Sequence, residues 1–214
     1  MNHTEVAHYL ADNPHFFEEH AELLGTIKLT SPLLGRAVSL QERQMEVVRD
    51  KYRLLELRLS DLLRLAQEND NAIGKYQRWT NSLLLARNDV DLPHLLTTNL
   101  QEIFNLPHAT LRLWNVADDY SHTWFAAPTS DAVQLFARSL NSPFCGENKD
   151  FEAAGWIDAP IASLAMLPLR TEGNVIGLLV LGSEEKERFT SSMATDFLAQ
   201  LAETTSAALS CLIK

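Results

Sequence analysis

The sequence has 214 residues, 46% of them hydrophobic and 21% charged, with eight Gly and eight Pro. Those proportions are globular and exclude a disordered, collagen-like or linker-dominated chain. The formal charge of −10 argues against direct nucleic-acid binding, because phosphate recognition leaves a basic footprint.

The charge is uneven. Residues 1–88 carry 11 Lys/Arg against 12 Asp/Glu, whereas residues 89–214 carry 7 against 16. The acidic surplus of −9 belongs to the second region, which predicts a boundary near residue 88: a helical segment over 1–88 and a second domain over 89–214. The start of the chain lacks a basic stretch followed by an apolar core, so it does not read as a secretory signal. No apolar run reaches the length of a membrane span; VIGLLVLG at 175–182 is strand-sized. Cys145 and Cys211 are far apart with no C-x-x-C, which favours reduced thiols. The expectation is a soluble, cytoplasmic protein with no membrane contact.

In chain order, Val6, Tyr9, Leu10, Phe16, Phe17, Leu23 and Leu24 predict two short helices ending near Gly25, with Asn13-Pro14 as an N-cap and first-turn proline. Structure is expected to restart at Ser31-Pro32 and break at Gly35. Ser39-Leu-Gln-Glu42 matches a capping box. From there Val38, Met45, Tyr52, Leu59, Ala66 and Ile73 fall seven apart, with Val48, Leu55, Leu62 and Tyr76 at the matching d positions and polar Gln41 and Asn69 as exceptions. That is a coiled-coil seam on a helix over about 40–86. It predicts a homodimer with Met45, Val48, Tyr52, Leu55, Leu59 and Leu62 at the interface. Lys51 at g faces Glu56 at the next e in a parallel pair, worth about 0.2–1 kcal/mol when exposed. Leu54, Leu63 and Leu65 widen the apolar face, so the helix packing back on its own chain stays open.

The second region changes style. Leu92, Leu95, Leu96, Leu100, Ile103 and Phe104 have helical spacing, ended by Pro107. Residues 109–116 alternate as a strand, Ala117-Asp118-Asp119 turns the chain, and 122–127 read as a second strand. Residues 130–140 are helical and 141–149 read as a loop. Strands at 163–170 and 174–183 are joined by a hairpin turn at Thr171-Glu172-Gly173. Pro168 needs an edge or bulge. A last helix is expected over about 191–212. The order gives an α+β domain with an antiparallel sheet flanked by helices, preceded by N-terminal helices and a long coiled-coil-like helix.

S-x-A-M-L-P-L-R, then E-G-N-V-I-G-L-L-V-L-G-S and a closing helix, resemble a GAF domain. V-A-x-Y-L-x-x-N-P-x-F-F-x-x-H at 6–20, G-x-A-V-S-L-x-E-R-Q at 35–44 and the Cys-Gly pair at 145–146 resemble the DUF484 family, bacterial proteins with a helical segment before a GAF-like domain. The resemblance spans nearly the whole chain and implies architecture, not chemistry.

The candidates for chemistry are few. His3/His8 and His15/His20 are five apart, so neither pair shares a helical face, and no HExxH occurs; no metal site is expected. No P-loop, dinucleotide fingerprint or nucleophile elbow is present. A small-molecule pocket is expected under the 141–158 loop, with Trp124, Phe144, Cys145, Gly146, Trp156 and Ser163 as candidate lining residues. Arg112 and Arg170 fall inside predicted strands, each as an edge residue or a partner for an anionic ligand. Free methionine sulfoxide reductases among GAF-like proteins imply a thiol-dependent alternative at Cys145, although no local resolving cysteine accompanies it. Asn148-Lys149 and Phe151 partly match a cyclic-nucleotide pattern without its Asp-Glu, and the Cys-His pair of bilin-attaching domains is replaced by Cys145-Gly146. The expected function is a non-enzymatic, dimeric regulatory module that binds an unidentified small molecule and signals through a partner protein. An adaptor with a vestigial pocket is the other non-enzymatic reading.

Overall fold

The structure of the chain is a computed structural model that describes residues 2–30, 37–191 and 195–214. It divides into two units, Met1–Asn69 and Asp70–Lys214.

The first unit begins with α1 (His3–Asp12), α2 (Phe16–Glu19) and α3 (Ala21–Thr26), three short helices where the spacing predicts two. Asn2 caps α1: its side chain accepts the Thr4 N–H, and Glu5 accepts the Asn2 N–H in return. Asn13 does not cap the following helix. Its side-chain amide donates to the Tyr9 carbonyl at 2.9 Å and closes α1 instead. The local side-chain bond to the preceding turn outcompetes the N-cap role. Strands β1 (Lys28–Thr30) and β2 (Ala37–Ser39) pair antiparallel. The restart at Ser31-Pro32 and the break at Gly35 lie outside the described residues.

Helix α4 runs from Leu40 to Leu84, 45 residues, or about 68 Å at 1.5 Å per residue. It starts directly after Ser39, where the capping box places it. Among the described side chains of residues 2–69, none is buried. Met45, Val48, Tyr52, Leu55, Leu59 and Leu62 are 52–63% exposed.

The second unit holds the core. After a short 3-10 turn at Asp89–Asp91, α5 (Leu92–Phe104) opens with Pro93 in its first turn and closes at Asn105, which adopts a left-handed conformation with φ 53°. Strand β3 (His108–Leu113) follows, then α6 (Asp131–Ser139), whose Ser130 hydroxyl caps it by accepting the Val133 N–H. Strands β4 (Phe144–Glu147), β5 (Ser163–Thr171) and β6 (Asn174–Ser183) complete the sheet before α7 (Asp196–Leu209). The sheet order is β3-β6-β5-β4, every pair antiparallel.

Side chains alternate across β5 and β6. Leu167, Leu169, Leu179 and Leu181 pack with Leu96 and Leu100 of α5, Leu201 and Leu209 of α7, and Trp79 and Leu83 from the last turns of α4. Leu164, Met166, Leu178 and Val180 pack on the other face with Val133 and Ala137 of α6 and with Ala153 and Ala154. Both faces of the sheet are therefore covered, which is why the 163–169 and 175–183 runs are almost continuously apolar.

The β5–β6 turn has Glu172 at φ 52° and Gly173 at φ 83°, the pair of positive angles that a tight hairpin turn requires. Near it the register shifts: Leu169 faces Gly177 but Arg170 faces Val175, so Ile176 is an extra residue on β6. Trp114 secures this bulge. Its N–H donates to the Ile176 carbonyl at 2.9 Å and its indole to the Val175 carbonyl at 2.6 Å. Pro168 lies beyond Met166, the last β5 residue paired with β4, so that side of β5 is open there. The expected edge position is what the register provides.

In the second unit two expectations change. Residues 122–127 do not form a strand; they turn through a 3-10 helix at Trp124–Ala126. The Thr123 hydroxyl bonds the Tyr120 carbonyl, and Phe125 inserts into the core, so local bonding and one buried ring override the β propensity of the segment. The expected loop at 141–149 contains β4, because pairing of Phe144–Glu147 with Met166–Ser163 outweighs the local Asn, Pro and Gly turn signals. The last helix starts at Asp196 among the described residues and tightens into a 3-10 turn at Ser210–Leu212.

Candidate functional site

Strand β4 and the segment after it place the candidate residues. Phe144 and Cys145 are neighbours on β4 and so point to opposite faces. Phe144 meets the rings of Phe136 on α6 at 6.3 Å and Phe151 at 5.4 Å between centroids. Cys145 is buried on the other face, in the cluster that contains Leu167 and Leu181. Burial pushes its thiol up from the usual cysteine value, which lowers the fraction present as the reactive thiolate at neutral pH. Cys211 is exposed, and its thiol is also pushed up, first by partial burial and then by Asp89. Gly146 pairs with Leu164, and an added Cβ there would come within 3.2 Å of the Phe144 ring.

Ser163 has a structural bond set. Its buried hydroxyl donates to the Glu185 carbonyl at 2.6 Å and accepts the Phe189 N–H at 3.3 Å. It thereby ties the start of β5 to the segment that follows β6.

Trp124 and Trp156 are brought together through a residue that sequence reasoning left between two roles. Arg112 on β3 places its guanidinium carbon 5.9 Å from the Trp124 ring centroid and 5.4 Å from that of Trp156. Each contact is a cation–π attraction, worth about 0.5–2 kcal/mol depending on desolvation. The Arg112 guanidinium donates to the Leu111 carbonyl at 3.0 Å, and desolvation holds its pKa below the usual arginine value. No carboxylate pairs with it among the described residues.

An opening beside the 141–158 segment is a cavity of about 240 Å³ between α6 and residues 150–153. Phe136, Phe151, Met166 and Leu178 supply its apolar walls, with Asp150 and Glu152 at its polar part. Glu152 is fixed by the Ser130 hydroxyl, which donates to its carboxylate. None of the six candidate residues lines this cavity; Phe144 is the one that packs against two of its walls. Phe136 and Phe151 were legible as aromatic residues near the loop, but their convergence depends on β4, which local turn signals hide. Chemically the lining offers aromatic and aliphatic contact together with the carboxylate residues Asp150 and Glu152, and no nucleophile.

No curated protein matches the chain. Among solved structures, it is similar to the GAF domain of a phosphoenolpyruvate-protein phosphotransferase from Coxiella burnetii, at 12% identity over 66% of this chain and 94% of that one, TM-score 0.48. It is also similar to the free methionine-R-sulfoxide reductase from Neisseria meningitidis, at 13% identity over 63% and 85%, TM-score 0.43. A further similar structure is the GAF domain of the potassium sensor histidine kinase KdpD from Escherichia coli, at 16% identity over 64% and 92%, TM-score 0.39. The family model described as "Protein of unknown function, DUF484" matches residues 1–211, and the chain belongs to that family.

Proposed function

We propose that the chain is a non-enzymatic regulatory module of the GAF type, joined as a homodimer through α4, which binds a small molecule and passes the signal to a partner protein. The observation that carries this reading is the exposed seam on α4. Six apolar side chains at heptad spacing, from Met45 to Leu62, each expose more than half of their surface. A parallel second copy would cover them and set Lys51 against Glu56, whereas an antiparallel partner would oppose g positions that include Lys51 and Arg58. The proposed domain organisation puts dimerisation in residues 1–88 and ligand binding in 89–214. The cavity beside Phe136 and Phe151 is the pocket we assign to the ligand, with Phe144 and Trp156 packed in the same apolar cluster as its walls.

A specific observation favours the adaptor as second reading. The α6 face of the sheet is filled by Leu164, Met166, Leu178, Val180 and Ala137, which leaves about 240 Å³, below the roughly 300–1,000 Å³ usual for ligand pockets. The thiol-dependent reading is disfavoured because Cys145 is buried and its thiol is pushed up.

Native mass spectrometry of the purified full chain tests the proposal. The expected result is a dimer carrying a small molecule that Phe136→Ala or Phe151→Ala variants lose. A dimer with no bound molecule would replace the sensor with the adaptor. Reductase turnover on free methionine sulfoxide that disappears in Cys145→Ser would overturn both.

A further inference from the structure

A second, larger cavity, of about 570 Å³, opens at the hairpin end of the sheet, well within the size range of small-molecule sites. Its lining has the opposite charge character to its surroundings. Residues 89–214 contain seven Lys/Arg and 16 Asp/Glu. Three of the seven cations, Arg138, Arg170 and Lys214, line this cavity, while Glu172 is the one Asp or Glu residue in the lining. A positive recess in a region of formal charge −9 concentrates anions locally.

The three cations are held differently. Arg170 is half-buried and fixed at both ends: its backbone N–H donates to the Ser206 hydroxyl at 2.9 Å, and its Nη2 donates to the Leu140 carbonyl at 2.6 Å. A guanidinium has five N–H donors in one plane, so this bond orients the fork and leaves donors for a ligand. Arg138 comes from the last turn of α6, is exposed, and has no ion-pair partner among the described residues. The Lys214 ammonium is engaged by Asp118 at 2.6 Å. Asn115, Thr171 and Asn174 are further polar residues of the lining. One pre-oriented arginine and one free arginine from a different element, facing one recess, match an oxyanion with more than one charge, because each fork takes a pair of oxygens.

We propose that this cavity binds a small, multiply charged oxyanion, phosphoryl or polycarboxylate, held between Arg138 and Arg170. The site is separate from the apolar cavity beside Phe136 and does not depend on it.

Isothermal titration calorimetry on the full chain, with inorganic pyrophosphate and separately with citrate, tests it. Saturable binding of pyrophosphate alone assigns the phosphoryl class, and of citrate alone the polycarboxylate class. Arg138→Gln should weaken that binding about tenfold or more, the scale of a lost charged hydrogen bond. Glu172→Gln should tighten it, and Arg188→Gln, an exposed cation outside this cavity, should leave it unchanged. Arg170→Gln also loses the Leu140 bond and risks misfolding, so Arg138 and Glu172 carry the test. No binding of either anion at millimolar concentration overturns the proposal. So does an affinity that Arg138→Gln leaves intact, or one that Arg188→Gln lowers equally.

Discussion

The two units use the same residue types in opposite ways. Leu167, Leu169, Leu178 and Leu179 in the central strands are fully buried, whereas Leu55, Leu59 and Leu62 on α4 are 58–63% exposed. A strand with both faces covered satisfies its apolar run inside one chain. A helix with a heptad seam does not. Full burial of a leucine side chain gains roughly 1.5–3 kcal/mol, so the seam of α4 holds a driving force that the described part of this chain leaves unused. The comparison separates residues that hold the fold from residues available for association.

Substitutions that respect this division should differ sharply. Leu179→Ala should cost about 2–5 kcal/mol in denaturant unfolding. Leu57→Ala, on α4 but off the seam, should stay within about 0.5 kcal/mol. Equal losses would erase the contrast. Gly177→Ala should cost about 1–3 kcal/mol, in the manner of overpacking. Its Cβ would lie 2.6 Å from both the Arg112 carbonyl oxygen and Leu113 Cδ2, and the first of these is backbone, so β3 and β6 would have to separate. A melt unchanged from wild type would show that the bulge tolerates a side chain.

Thiol labelling sharpens the same contrast between buried and exposed positions. Cys211 is exposed and Cys145 is 6% exposed, so native alkylation at neutral pH should modify Cys211 first. Cys145 should react only after unfolding or at markedly higher pH, since burial raises its pKa. Fast modification of Cys145 would restore the thiol chemistry that the proposed function sets aside. The smallest effect belongs to His108 and Glu184, paired at 2.8 Å. The hydrogen bond from His108, followed by the Glu184 backbone N–H, holds the Glu184 carboxyl below the usual carboxylate range. A lowered folded pKa gives stability that is present above the unfolded carboxylate pKa and fades as pH falls through the lowered value. The melting difference between wild type and Glu184→Gln should therefore be small at neutral pH and close under acid conditions. A difference that widens on acidification would contradict this sign.

Much of the fold was legible because it rests on local periodicity. The heptads gave α4, the hairpin signal gave β5 and β6, and the Pro168 rule gave an open strand edge. What escaped depends on distant partners. Strand β4 exists because Phe144–Glu147 pair with residues roughly 20 positions away, and nothing in N-S-P-F-C-G announces that pairing. The 122–127 segment has strand-like composition, but the Thr123 bond and the burial of Phe125 turn it. The candidate site was legible only as a neighbourhood. Trp124 and Trp156 do meet through Arg112, but Cys145 lies across the sheet, and alternation along β4 could not be applied while that segment read as a loop. The charge inversion at the hairpin end needs Arg138 and Arg170, 32 residues apart in the sequence, on one cavity.

The central claim is that the α4 seam joins two copies. Sedimentation velocity of the full chain at micromolar concentration tests it directly, alongside a variant with Leu55, Leu59 and Leu62 all changed to Gln. The account predicts a dimer for the wild type and a folded monomer for the variant, with the cooperative melt of the second unit retained. A wild type that sediments as a monomer, or a triple variant that stays dimeric, would contradict it.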